Sequence, residues 1–203
     1  NQHEKEDCML HSRNLIIAET GSKACLIEHH VGLCQTSYLS TIVTEIIAKA
    51  NSQIEFYKLQ QEASKANHIA QIKITEQRDS QVICHNFDFG GKLVRNDLHA
   101  QLQDKNSHCI LNGLYLLNDR QHVDNHTRVD HLQPQTTSHE YYKGIVDDRA
   151  RGVFSGKVIV HQDAQQINAH QQNHNLLLSD KAEVDTKPQL EIFADDVKCS
   201  HVA

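Results

Sequence analysis

Cys199 and His201 bring a thiol and an imidazole to one side of any extended segment, because residues i and i+2 share a face. Such a pair can ligate iron or a nascent iron–sulfur cluster. Lys198 and His201 flank the thiol and would lower its pKa. Two ligands do not close a site, so a partner chain would have to supply the rest. A second constellation is the run His122–His131. Read as a strand, it lines up His122, Asp124, His126, Arg128 and Asp130 on one face. His122, Asp124 and His126 are donor types that suit Zn²⁺ or Fe²⁺. Arg128 on the same face opposes a cation, and alternating His, Asp and Arg equally makes a hydrogen-bonded polar ladder. His161, His170 and His174 lie in a Gln/Asn-rich stretch with no carboxylate or thiol to complete a set, although His170 and His174 could pair on a helix. His29-His30 and His108-Cys109 are weaker still. Gly90-Gly91 and Gly152-x-x-x-Gly156 match no phosphate loop, and no G-x-S-x-G occurs. The sequence therefore offers no nucleotide site, no serine hydrolase and no catalytic residue.

The elements that must carry these residues are short strands. Leu15–Ala18, Ala24–Val31, Leu39–Ile47, Ile54–Leu59, Ile69–Ile74, Val82–Phe89, Ile110–Leu117, Val153–Val160 and Leu190–Phe193 are apolar or alternate with period two, as do Leu98, Ala100 and Leu102. Thr41–Ala50 also has helical spacing, but its β-branched residues favour strand. Lys58–Ala70 reads either way, because Gln, Glu, Ala and Lys form helices well. The strand seeds recur about every dozen residues, separated by polar patches such as Asn51-Ser52 and Asp104–Ser107 that lack hairpin signatures. With only 8 Gly and 2 Pro, the chain is poor in turn formers for a hairpin-rich sandwich. Steady recurrence and abundant Asn and Gln, which stack between successive coils, fit a solenoid; a generic antiparallel sandwich fits the pattern as well. Residues 1–13 read as a poorly ordered segment and 14–203 as the core.

Composition narrows the functional classes. The 203 residues suit one domain. Lys and Arg number 20 against 26 Asp and Glu, a net charge of −6 with no basic stripe, which speaks against nucleic acid. No apolar run approaches the ~18 residues of a membrane span, and no basic amphipathic helix suits a membrane surface. The six cysteines form no C-x-x-C, so reduced thiols in a cytoplasmic compartment are expected. The chain does not begin with Met, which leaves a lost targeting segment, for instance to a plastid, open.

The run Thr186-Lys187-Pro188-Gln189-Leu190-Glu191-Ile192-Phe193-Ala194-Asp195-Asp196-Val197-Lys198-Cys199-Ser200-His201 resembles the signature of the SufD family, scaffold subunits of the SUF (SufBCD) iron–sulfur cluster assembly complex. Asn173–Leu178, Lys181–Asp185, Lys143–Val146 and Arg149–Gly156 continue the resemblance upstream, and His29-x-Val31 and Gly90-Gly91 follow it more loosely. The resemblance implies an all-β, right-handed parallel β-helix core, with flanking helical regions largely missing from this chain. It implies pairing with SufB through that core and with the SufC ATPase through a C-terminal helical region. A nascent iron–sulfur cluster, transient and shared with SufB, would form at the SufB–SufD interface, with His201 as ligand and Cys199 beside it. No permanently bound cofactor is implied, and sulfur enters through SufB. The family usually has Gly where this chain has Val202. If that Gly needed a positive φ or a close approach, Val would be costly.

A non-enzymatic scaffold is thus the leading expectation. One alternative is a His-rich metal-binding β-helix protein using His122, His126, His161, His170 and His174. Another is a β-helix carbohydrate-active enzyme, for which Asp124, Asp130 and Asp147-Asp148 are the loose carboxylate candidates and Trp platforms are lacking. A solenoid core also leaves unpaired strands at its ends, so homodimerisation in isolation, or edge pairing with SufB, is expected.

Overall fold

The computed structural model describes residues 8–33 and 36–203. Fourteen strands account for nearly all of them. The first seven are β1 (Cys8–Ala18), β2 (Lys23–Val31), β3 (Tyr38–Ala48), β4 (Gln53–Gln61), β5 (Ala66–Glu76), β6 (Gln81–Asp88) and β7 (Leu93–Leu102). The rest are β8 (His108–Leu117), β9 (His122–His131), β10 (Thr137–Val146), β11 (Arg151–Val160), β12 (Ile167–Leu177), β13 (Glu183–Ile192) and β14 (Val197–Val202). Odd-numbered strands stack in order into one seven-stranded sheet and even-numbered strands into another. Neighbours in both sheets are parallel. The chain is therefore a β-solenoid of seven coils, each an odd strand followed by an even one, as expected; the antiparallel sandwich is ruled out. Registered partners lie 26 residues apart at the shortest (Asn67↔Leu93) and 32 at the longest (Arg151↔Glu183).

Thr41–Ala48 is strand, as its β-branched residues demand, and Lys58–Ala70 resolves into the end of β4, a turn and the start of β5. Helix-forming residues there lose to the ladder on either side, a tertiary override of propensity. β1 begins at Cys8, six residues ahead of the Asn14 boundary expected from polarity. Its polar start is held across to β3, where His11 Nδ1 meets Thr41 Oγ1 at 2.5 Å and Arg13 meets Glu45 at 2.9 Å. Residues 1–7 and Cys34 lie outside the described residues, and the other five cysteines are free thiols.

The turns from odd to even strands repeat one device. Gly21, Asn51, Asp79, Asn106 and Gln135 occupy the left-handed region, with φ of 73°, 58°, 57°, 58° and 61°. The residue that follows is Ser or Thr, and its hydroxyl closes the last four of these turns. Ser52, Ser80, Ser107 and Thr136 donate to the carbonyls of Lys49, Gln77, Asp104 and Gln133 at 2.7, 2.6, 3.1 and 3.2 Å. Asn, Asp and Gly tolerate this conformation best, so they stack in register along one edge.

Inside, the odd sheet contributes an apolar column, Ile16–Ile46–Ile74–Ala100–Val129–Val158–Leu190, in strict register. A fully buried Ile or Val contributes about 1.5–3 kcal/mol, so this column is a major source of stability. Beside it runs a polar interior that alternation alone would not reveal. Lys58 Nζ reaches Asn96 Oδ1 at 2.7 Å and Asp88 Oδ1 at 3.4 Å, while Asn96 Nδ2 donates to Asn125 Oδ1 at 2.8 Å from the neighbouring coil. A second buried group joins Glu62 to His68 Nδ1 at 2.6 Å and to Ser40 at 2.7 Å. The outer face of the odd sheet carries ion pairs. That of the even sheet carries stacked rings, Tyr57 on His85 with centroids 4.4 Å apart and His139 on His170 at 5.3 Å. In the first and last described coils, Leu10 and Leu15, and Ile192 and Phe193, are exposed.

Candidate functional site

β14 is the last described strand of the even sheet, and among the described residues it pairs with β12 alone. Val197 and Cys199 turn inward and pack half-buried against the core. Cys199 ends the inward column Ala24–Ile54–Val82–Cys109–Ser138–Ala169–Cys199, and His201 ends the adjacent one, Leu26–Phe56–Cys84–Leu111–Glu140–Gln171–His201. The i, i+2 spacing thus places thiol and imidazole on the inward side of the terminal coil, their backbones about 6.6 Å apart. Among the described residues no strand stacks above them. His201 is exposed and has no hydrogen-bond or ion-pair partner among the described residues.

Burial raises the Cys199 thiol pKa, only partly opposed by a backbone hydrogen bond from Ala169. This corrects the expectation that Lys198 and His201 would lower it. Lys198 points to the opposite face of the strand, and desolvation decides the direction. At neutral pH the group is a thiol, so a metal must displace its proton. Val202 is exposed on the outward face, pairs with Gln172, and is not among the residues with positive φ. A β-branched residue suits such a strand position, so Val202 does not disturb His201.

The other sequence candidates stay apart. On β9, Asp124 accepts from Arg95 in a close ion pair, and His126 Nε2 lies 2.8 Å from Asp124 Oδ1. His122 takes no part in that pair. Asp130 is buried, clamped by Arg128 at 2.7 and 2.9 Å, His99 at 2.5 Å and His161 at 3.1 Å, and these partners hold its carboxyl well below the usual range. His170 and His174 lie on strand β12, not on a helix. His170 Nδ1 contacts Ser200 Oγ at 2.6 Å, and His174 meets the Tyr141 ring edge-on. The five imidazoles of the metal-binding alternative are therefore divided between different faces of the solenoid. Among the described residues no group of three or more His, Cys, Asp and Glu is placed to hold a metal ion. A surface hollow of about 650 Å³ is lined by Asp119, Arg120, Asp148, Arg149, Ser179, Asp180 and Lys181, and does not include Cys199 or His201. No helix among the described residues is long and apolar enough to cross a membrane. Gln171, beneath His201, was not singled out from sequence: its only signal is its place in a ladder 30 residues long, which needs the coil register to be known.

The chain is thus a parallel β-solenoid whose last described strand carries a thiol and an imidazole on its inward side, two donors that do not by themselves close a metal site. The chain belongs to the SufBD core family: the model of the SUF system FeS cluster assembly SufBD core domain matches residues 1–203. It is 35% identical to the iron–sulfur cluster assembly protein SufD of Escherichia coli over 193 residues, 95% of this chain and 46% of that protein. It is 34% identical to an iron–sulfur cluster assembly SufBD family protein of Synechocystis, over 96% of this chain and 45% of the relative. It is 32% identical to the chloroplastic protein ABCI7 of Arabidopsis thaliana, over 94% and 41%. The chain thus spans about half the length of the curated relatives it matches.

Proposed function

We propose that this chain is the core of a SufD-type scaffold subunit in iron–sulfur cluster assembly, and that it acts without catalysing a reaction of its own. The observation that carries the reading is the placement of Cys199 and His201 together on the inward side of β14, the last described strand of the even sheet. Two donors suit a cargo held jointly with another chain, released once complete, rather than a resident cofactor. The partner is SufB, paired through the β-helix core, where the apolar side chains of Ile192 and Phe193 are exposed. SufC binds outside the core, and its ATPase cycle rearranges the SufB–SufD pair. A nascent cluster forms between the two cores with His201 as this chain's principal ligand and Cys199 as its neighbour. The compartment is cytosol-like, in keeping with free thiols.

The test is anaerobic co-purification of the full-length protein with its cognate SufB and SufC, with iron and sulfide quantified per complex. His201→Ala is expected to leave the complex assembled and deplete both, with Cys199→Ala weaker. Normal cluster content in both variants would move the site elsewhere. Absence of any complex would overturn the partner assignment.

A further inference from the structure

The inward column that ends at His201 changes character on the way. Leu26, Phe56, Cys84 and Leu111 are apolar; Glu140, Gln171 and His201 follow in register. Gln171 is 1% exposed, and its Nε2 donates to Glu140 Oε2 at 2.5 Å. Its Oε1 is sealed from solvent and has no partner. Across the interior, a Cβ at Gly156 would overlap the Gln171 amide and crowd the Phe154 ring, so a glycine leaves the space this side chain occupies. An orphaned buried acceptor is costly, because it has given up its hydrogen bonds to water without replacement. Glu140 accounts for the Nε2 end of the amide and leaves the oxygen unexplained. The register puts His201 directly over Gln171 on the same inward side, itself without a partner.

We propose that Gln171 is a positioning residue for His201: its Oε1 accepts the N–H of one ring nitrogen, which leaves the other ring nitrogen as the metal ligand. A metal-bound imidazole characteristically donates its second N–H to a fixed acceptor, and that bond sets both tautomer and ring orientation. Glu140 anchors the amide from below, and Gly156 gives it room. The inference rests on the reading of His201 as a cluster ligand.

The experiment uses the full-length protein in its complex with SufB and SufC under anaerobic conditions. Fe²⁺ affinity and the remote ring-nitrogen coupling in pulsed EPR of the reduced cluster are measured for the native complex, Gln171→Met, Gln171→Glu, His201→Ala and the Gln171→Met/His201→Ala double variant. Gln171→Met keeps the length and volume and removes the acceptor. It is expected to weaken Fe²⁺ binding roughly 10–100-fold and to alter the remote-nitrogen coupling. Gln171→Glu restores an acceptor and is expected to bind Fe²⁺ at least as tightly as the native complex. In the His201→Ala background, Gln171→Met should add nothing. Unchanged affinity and coupling in Gln171→Met, or an equal loss with and without His201, would overturn the proposal. Should Gln171→Met not assemble, Gln171→Glu decides: retained affinity with a changed remote coupling supports the positioning role, and lost affinity or an unchanged coupling refutes it. Native Fe²⁺ affinity in His201→Ala would remove the ligand reading and this inference together. Loss in His201→Ala with none in Gln171→Met would remove this inference alone.

Discussion

Lys58 meets Asp88 inside the solenoid, Nζ 3.4 Å from Oδ1, with side chains 1% and 0% exposed. The two come from adjacent coils, and Asn86 and Asn96 fill the remaining positions around them: Asn86 Oδ1 lies 3.3 Å from Nζ, and both amides donate to Asp88 Oδ2, at 2.6 and 2.9 Å. Desolvating two charges is offset here by their mutual attraction and by hydrogen bonds that leave few lone pairs unmet. Removing one partner strands the other. Lys58→Met is expected to destabilise the domain by about 3–5 kcal/mol, and Lys58→Met combined with Asp88→Leu by clearly less than Lys58→Met alone. Urea unfolding of the two variants measures this. Equal losses in the single and double variants would mean that packing, not the orphaned carboxylate, sets the cost.

Two buried carboxyls make the domain lose stability as pH rises through the weakly acidic and neutral range. Burial pushes Glu76 up to about 8 and Glu140 up to about 7, from an ordinary 4.5. Above pH 4.5 the unfolded chain gives up these protons while the folded chain keeps them. The unfolded state then binds fewer protons, so stability falls as pH rises from about 4.5 towards 8. Glu76→Gln removes Glu76's share of that dependence and leaves that of Glu140. Its melting temperature is expected to match the native value near pH 4.5 and to exceed it at pH 8 by several degrees, at about 2–4 °C per kcal/mol for a chain of this size. A difference between variant and native that does not grow with pH would show that Glu76 ionises in the folded state as it does unfolded.

The solenoid was legible where its inward residues are apolar and β-branched. Ile42, Ile46, Ile72 and Ile74 announce β3 and β5 through period two, and their buried side chains form the core. β10 and β12 are harder to see because His, Glu, Asn and Gln fill them: His139 and Glu140, then His170, Gln171 and Asn173. Their strand state comes from neighbours about 30 residues away, which no local pattern encodes. The Cys199/His201 pair was legible because its geometry is intrinsic to any strand. Glu140 and Gln171 were not, since each meets its neighbour only through the stacking of successive coils.

The turn edge yields a prediction of opposite sign to most. Gln135 holds φ of 61° without the side-chain compensation that Asn or Asp provides. Gln135→Gly relieves that strain and is expected to stabilise by about 0.5–1 kcal/mol after the extra unfolded-state entropy is counted. Asn106→Val, at φ 58°, places a β-branched residue where it fits worst and is expected to cost at least about 1 kcal/mol. Denaturant midpoints of the two variants should move in opposite directions. A shift of the same sign in both would mean that side-chain contacts, not backbone conformation, govern these turns.

Val202 tests whether the family's usual glycine shapes β14, the strand on which we place the proposed ligand His201. The residue is 48% exposed, faces away from the interior and pairs with Gln172 in ordinary extended backbone. Its φ is not positive, so its backbone conformation does not ask for glycine. Val202→Gly should therefore loosen β14, costing about 0.5–1 kcal/mol of strand preference, without turning His201 away from the inward side. Hydrogen exchange of the β14 amides should quicken in the variant while iron and sulfide per complex stay at the native level. A rise in cluster content in Val202→Gly would show the opposite: that β14 must flex for His201 to reach the metal, and that valine at this position restrains it.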